Sequence, residues 1–303
     1  MGDLSSTDNS DEDNPTLERC KNARDGNAEK VYEVLIKCPD LVNKPDNDGL
    51  TALHYATKYG NLEVVEVLLN FGANADVTSK ELMTPLHMSA KAQLLIVFII
   101  LFATNYVEPS TKSSQLLKLT RTGKFDSSSR FKDNLSNSNR SMTVNSPIAI
   151  VDLLVRRGAN VNAADAYGLT PLHYAAMKAN TLTAQALLTN GANVNPKGVK
   201  GMTPLPTACI HGSDDIVRLL LSNGADCCDM DNRKNSVYHI AALHGRNNTL
   251  KLLLQYGKNA HVMLWSSNGE GKTPLRLAVE GDHPDTVQSI LELKSTQSSE
   301  FAV

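Results

Sequence analysis

Apolar residues recur along most of this chain as pairs of short clusters separated by turns. Each pair has seven to nine small and apolar residues, a turn such as Gly60-Asn61 or Gly212-Ser213, and a second apolar run such as VVEVLL or DIVRLLL. Apolar runs of this length with turn residues between them are typical of short amphipathic helices. The pattern therefore predicts pairs of short helices.

The helix pairs repeat at a nearly constant interval. Copies start near Leu17 and at Thr51, Thr84, Thr170, Thr203, Ser236 and Thr273, with spacings of 34, 33, 86, 33, 33 and 37 residues. The hydroxyl residue that opens the six later copies can cap a helix, and the proline that follows it in four copies suits the first helical position. Glycines follow the second run and predict left-handed residues that end a helix; they are Gly72, Gly158, Gly191, Gly224 and Gly257.

The strings TALH, TPLH and TPLH, which start at Thr51, Thr84 and Thr170, together with the period near 33, resemble the ankyrin repeat. The resemblance covers about residues 17–292 apart from one interruption. It implies an all-α solenoid of about seven helix–turn–helix units with short β-hairpin-like loops, each unit packing against its neighbours. The motif histidine is absent from three copies, in which Cys20, Pro206 and Arg276 take its place.

About 53 additional residues interrupt the third copy, and removing Gln93–Asn145 restores the register. The additional segment begins with an apolar run, Leu94–Ala103, that is too short to span a membrane, and continues as a Ser-, Thr-, Asn-, Lys- and Arg-rich stretch. Three interpretations remain open: a disordered loop, an element that touches a membrane or partner, and translated non-coding sequence. We expect Ile148–Val155, rather than Leu94–Phe102, to form the second helix of this copy.

These observations predict a domain organisation with five parts. The parts are a disordered acidic tail (1–16), repeats one and two with the first helix of repeat three (17–92), a mostly disordered insertion (93–145), the rest of repeat three with repeats four to seven (146–292), and a C-terminal tail (293–303).

Composition narrows the functional classes. Thirty basic and 32 acidic residues give a net charge of −2, so no basic excess points to a nucleic acid. The five cysteines form no C-x-x-C pair, and residues 1–15 do not look like a secretory signal, which favours a reducing compartment. We expect a cytoplasmic protein, with the nucleus also compatible.

No residue pattern indicates catalysis, a metal site or a cofactor. His54, His87, His173 and His239 all occupy the fourth motif position, so their recurrence favours a structural role. Cys227 and Cys228 are interpreted as apolar fillers, with a redox-sensing thiol as the alternative. The sequence contains no P-loop, G-x-G-x-x-G, H-E-x-x-H or G-x-S-x-G. We therefore expect no enzymatic activity.

The resemblance implies that the first helices and loop tips bind another protein, and tyrosine is favoured in such interfaces. The candidate partner-binding residues are Tyr55, Lys58, Tyr59, Lys91, Tyr167, Tyr174, Lys178, His211, His244 and Trp265. Trp265 lies in the longer loop before Thr273, and two interpretations remain open: an anchor for a partner at the loop tip, or a residue that covers the neighbouring loop.

Three functional hypotheses follow from these patterns. The first is a protein–protein interaction adaptor, with a partner whose identity the sequence does not give. The second is the cytosolic ankyrin portion of a membrane cation channel, because ankyrin-type transient receptor potential channels look similar in carrying long repeat arrays. A role at a membrane is expected only in that case. The third is a non-catalytic targeting subunit of an enzyme complex.

Overall fold

The computed structural model describes residues 15–92, 147–257 and 259–300. Within these ranges the helices are α1 (Pro15–Asp25), α2 (Ala28–Lys37), α3 (Ala52–Tyr59), α4 (Leu62–Asn70), α5 (Pro85–Lys91), α6 (Pro147–Arg156), α7 (Pro171–Met177), α8 (Thr181–Thr189), α9 (Pro204–His211), α10 (Asp214–Ser222), α11 (Val237–Leu243), α12 (Asn247–Tyr256), α13 (Ala260–Trp265), α14 (Pro274–Glu280) and α15 (Pro284–Glu300). Short 3₁₀ turns span Pro39–Leu41 and Val199–Gly201. The described residues form one isolated β-bridge, between Met230 and Ser236, and no sheet.

The helices stack in two rows, one formed by the first helix of each unit and the other by the second. In the first row α1, α3, α5, α7, α9, α11 and α14 contact one another in that order. In the second row α2, α4, α6, α8, α10, α12 and α15 do the same. One cluster of buried apolar side chains continues from Ala23 to Ile290. The predicted all-α ankyrin-type solenoid is therefore confirmed.

One motif position supplies a side chain to the core of successive units. Leu53, Leu86, Leu172 and Leu205 occupy it, and each is at most 1% exposed. In the degenerate first unit the same position holds Arg19, whose side chain is also fully buried. Its Nη2 donates to the carbonyl of Lys44 at 2.6 Å, so part of the charge is compensated by the following loop.

The third unit is completed by α6, which contacts α4, α5 and α8 and buries Ile150, Val151 and Leu154. Residues Ile148–Val155 therefore form its second helix, as the register predicts. The proposed insertion at 93–145, with the competing run Leu94–Phe102, lies outside the described residues. Most of the acidic tail (residues 1–14) and residues 301–303 also lie outside them.

Several predicted boundaries differ from the structure. Helix α1 starts at Pro15, inside the predicted tail, and α15 continues to Glu300, although a tail was expected from residue 293. No glycine or proline follows Leu293, so the sequence carries no signal that would stop α15 there. Helix α13 occupies part of the stretch that was expected to be a loop.

Glycine at the end of the second helix has two different roles. Gly72, Gly158, Gly191 and Gly224 have φ between 84° and 92°, as predicted. The prediction is wrong for Gly257, whose φ is −78°. A Cβ at Gly257 would collide with the Tyr238 hydroxyl and the Leu253 carbonyl, so close approach explains the glycine there.

Candidate partner-binding surface

The motif histidines connect neighbouring units. The Thr51 amide donates to His54 Nδ1 at 3.0 Å, and His54 Nε2 lies 2.9 Å from the carbonyl oxygen of Met83 in the next unit. Because a backbone amide can only donate, Nδ1 carries no proton, and Nε2–H donates to Met83. His87, His173 and His239 make the same pattern with the carbonyls of Leu169, Met202 and Lys272.

Burial determines the charge of these histidines. It lowers the pKa of His54, His87, His173 and His239 below the ordinary histidine value, so the rings are neutral near pH 7. In the ranges that the structure describes, no three His, Cys, Asp or Glu side chains are grouped so that they could hold a metal ion. The hydrogen bonds explain the recurrence of the four histidines without a ligand.

Most of the predicted partner-binding residues are exposed. The exposed ones are Lys58, Tyr59, Lys91, Tyr167, Lys178, His211 and His244. Tyr59 is 44% exposed and Tyr167 is 57% exposed, so both present aromatic surface to solvent. Tyr55 is half-buried.

Tyr174, one of the candidate partner-binding residues, is buried, because only 8% of this residue is accessible. Its hydroxyl donates to Asp165 at 2.7 Å, and its ring packs edge-on against His87. Tyr55 donates to Asp46 in the same way at 2.7 Å. Burial, reinforced by the aspartate in each case, raises the pKa of both tyrosines above its ordinary range. Both hydroxyl groups therefore hold a loop against a first helix.

Trp265 does not lie at an open loop tip, which agrees better with the covering role than with the anchor. The residue ends α13, is half-buried and packs against the continuous core. The sequence missed α13 because AHVMLW is too short to show a helical period.

An open groove lies between α9, α11 and the loops that precede them, with a volume of about 360 Å³. Its lining includes His244, a candidate partner-binding residue, and the neighbouring Leu243, as well as Lys200, Met202 and Arg233 from the loops. Lys200 lies in the segment Lys197-Gly-Val-Lys200, which contains two lysines and no acidic residue. Arg233 was missed because nothing in the repeat period distinguishes it from other loop residues.

The buried cysteines have the properties of apolar fillers. Burial raises the pKa of Cys227 to about 11, and it also raises the pKa of Cys20 and Cys209. Because the thiolate is the nucleophile, thiols that stay protonated near pH 7 react slowly. The interpretation of Cys227 as a filler therefore agrees with its surroundings.

Comparisons with known proteins agree with the stacked helix pairs. A family model described as ankyrin repeats (3 copies) matches residues 21–112, 141–231 and 227–299. The chain is 45% identical over 282 residues to the transient receptor potential cation channel subfamily A member 1 homolog of Caenorhabditis elegans, covering 93% of this chain and 21% of that protein.

Two other relatives match about half of the chain. Rabankyrin-5 of Mus musculus is 31% identical over 163 residues, which is 46% of this chain and 14% of that protein. Inversin of Canis lupus familiaris is 32% identical over 144 residues, which is 48% of this chain and 12% of that protein. This chain thus spans about a fifth or less of each of these three relatives.

None of the helices in the described ranges combines the length and the apolar character needed to cross a membrane. The family match extends over most of the sequence, and it coincides with the two rows of helices and the bridging histidines. The chain belongs to the ankyrin-repeat family.

Proposed function

We propose that this chain is a non-catalytic protein-binding solenoid and that it forms the cytosolic ankyrin portion of a cation channel similar to subfamily A transient receptor potential channels. The observation that carries the proposal is the 45% identity to the nematode channel homolog, which extends over 93% of this chain. The matches to Rabankyrin-5 and Inversin reach only about half of it.

The packing of the units supports the role of a connected scaffold that binds a partner within a larger protein. Each unit shares its apolar face with the next, and the motif histidines add polar bonds across the junctions. Such a stack behaves as a connected scaffold, since each unit depends on its neighbours for stability. The exposed residues of the first-helix row then remain available for a partner.

The channel assignment is tested with a chimera in which this chain replaces the aligned segment of the nematode channel. We expect cation currents in transfected cells, because the segment and its replacement would share one fold and one set of contacts with the rest of the channel. A matched chimera with Leu172→Asp, which places a charge in the core, should give no current.

Surface biotinylation separates trafficking from function in this experiment. A chimera with the native sequence that reaches the surface and passes no current would contradict the assignment. Sequencing complete transcripts is an independent test, and continuation past Val303 into several apolar spans of about 20 residues would support the assignment.

A soluble adaptor is the second candidate, and the exposed tyrosines and lysines of the first-helix row favour it. Tyr59 and Lys58 lie side by side on α3, where the lysine ammonium is 5.5 Å from the Tyr59 ring centroid. Affinity capture from lysate with Tyr59→Ala and Lys58→Ala should then lose a partner that the native chain retains. Unchanged capture would remove this pair from the binding surface.

A further inference from the structure

The groove between the fifth and sixth units has an apolar floor that is open to solvent. Met202, Ile210, Ile240 and Leu243 line it, and Leu243 is 41% exposed although it is a large aliphatic residue. A floor of this kind favours a partner that brings an aliphatic side chain of its own, because water then leaves both surfaces.

The rim of this groove is cationic. Lys200 and Arg233 line it and are exposed, and within the described ranges neither forms an ion pair. The one carboxylate of the lining, Asp231, is turned to its own loop, where Oδ1 accepts from the amides of Arg233 and Asn235, each at 2.8 Å. Asp231 Oδ2 accepts from Asn235 Nδ2 at 3.0 Å. The two cations are therefore the groups that remain available to a ligand.

The surroundings of His244, at the side of the groove, also carry positive charge. Its pKa is lowered first by burial and then by the nearby cationic or potentially cationic groups Arg246, His283 and His211. The loop before the sixth unit also carries acidic residues, Asp226, Asp229 and Asp231, of which Asp229 forms an ion pair with Lys197 at 2.9 Å. The lining itself holds two exposed cations and one carboxylate, so a small excess of positive charge acts at short range on a ligand in the groove.

The backbone of the basic loops is strained where the lysines lie. Lys200 and Lys234 have φ of 62° and 61°, a region that favours glycine. Gly49, Gly168 and Gly271 occupy the position of Lys234 in other loops, with φ between 72° and 78°. Leu82 occupies the same position in the loop before the third unit with φ of 58°, so this conformation belongs to the repeated loop.

We propose that the groove binds an extended, acidic peptide segment of another protein. A leucine-sized side chain of that segment rests on the floor formed by Ile210 and Leu243, and the carboxylates that flank it meet Lys200 and Arg233. The inference rests on the proposed protein-binding function and adds the place on the solenoid and the chemistry of the partner.

The proposal is tested by fluorescence anisotropy with the full chain and a short labelled peptide, Glu-Asp-Leu-Asp-Glu. We expect saturable binding that weakens several-fold when sodium chloride rises from about 50 to about 300 mM. The double variant Lys200→Glu/Arg233→Glu should bind this peptide about tenfold more weakly, because attraction becomes repulsion. The matched control Lys30→Glu/Lys37→Glu reverses two exposed lysines on α2, away from the groove and outside the candidate partner-binding residues, and should bind as the native chain does.

The apolar contact is tested with a second peptide in which serine replaces leucine. Leu243→Ser should weaken the leucine peptide about fivefold and leave the serine peptide nearly unchanged. Circular dichroism spectra and melting curves identify any variant that fails to fold, and Leu243→Met then provides a conservative replacement that should retain binding.

Two results would overturn the proposal. The first is equal binding by the native chain and the Lys200→Glu/Arg233→Glu variant. The second is equally strong competition by a single-stranded DNA oligonucleotide of the same charge, since the site would then recognise charge alone. Neither result bears on the channel chimera, whose currents report separately on the proposed function.

Discussion

The second and fifth units have nearly the same backbone but different polar connections. Helices α3 and α9 both have eight residues and both end at a left-handed glycine, Gly60 or Gly212. In the second unit His54 bonds to Thr51 and to the next unit, whereas in the fifth unit Pro206 takes the histidine's place. As a result, the buried hydroxyl of Thr203 has no hydrogen-bond partner.

This difference shows that the bridging histidine is not required to form a unit. Core residues such as Leu205, together with the glycine at the helix end, are sufficient for the local fold. The histidine adds polar bonds between neighbouring units, and the groove opens at the junction of the fifth and sixth units, where these bonds are missing. We therefore expect the two junctions to differ in stability more than in shape.

Removing the histidine bridge from the second unit should cause the largest loss of stability among the variants considered. His54→Ala would leave the Thr51 amide and hydroxyl and the Met83 carbonyl without this partner and would open a small cavity, at a cost of about 3 kcal/mol. Urea denaturation measures the loss, and faster amide exchange at Thr51 locates it.

The matched control for this variant is Lys58→Ala, on the exposed side of the same helix. Its effect on the free energy of unfolding should stay within about 0.5 kcal/mol. If the His54→Ala and Lys58→Ala variants unfolded at the same urea concentration, the bridge would be of no energetic importance.

Acidification should weaken the histidine-bearing junctions specifically. Burial holds the pKa of His54, His87, His173 and His239 below the ordinary value of about 6.5, so the unfolded chain binds these protons more readily than the folded one. The contribution of these histidines to stability is complete above about pH 6.5. It is lost as the pH falls from that value toward the lower pKa of the folded state.

Denaturation at several pH values between about 8 and 5 measures this effect. Carboxylates also titrate in acid, so the informative quantity is the difference in free energy of unfolding between the native chain and the His87→Asn variant at each pH. We expect the variant to lose less stability on acidification, because one fewer buried imidazole must accept a proton. Parallel pH profiles for the two proteins would contradict the argument.

The comparison also shows which features the sequence could reveal. The helix pairs were predictable because local signals agree, as at Thr51 and Gly60, and because several copies share one register. The burial of Tyr174 was not predictable, since it depends on Asp165, whose position relative to the helix is set by the folded loop. The groove combines loops and helices of two units, so no single copy contains its pattern.

Introducing a histidine bridge in the fifth unit should raise stability, by less than the loss expected when the bridge is removed from the second unit. Pro206→His would place an imidazole beside the unpartnered Thr203 hydroxyl and near the carbonyl of Asn235. This carbonyl accepts from the Asp231 amide, just as the Met83 carbonyl accepts from the Ser79 amide in the second unit's bridge. We expect a gain of about 1 kcal/mol in the free energy of unfolding. The control Pro206→Ala removes the proline without adding an imidazole. If both variants gained the same free energy of unfolding, the imidazole would contribute nothing.

The smallest expected change in stability concerns the loop that joins the fifth and sixth units. Lys234→Gly should raise stability by about 0.5 kcal/mol, because glycine adopts the φ of 61° observed there without a Cβ penalty, partly offset by a more flexible unfolded chain. Lys234→Ala removes the same charge but keeps the strain, so its midpoint in urea should not rise. An equal gain in both variants would mean that repulsion among the basic groups of the loops, rather than backbone strain, destabilises this junction.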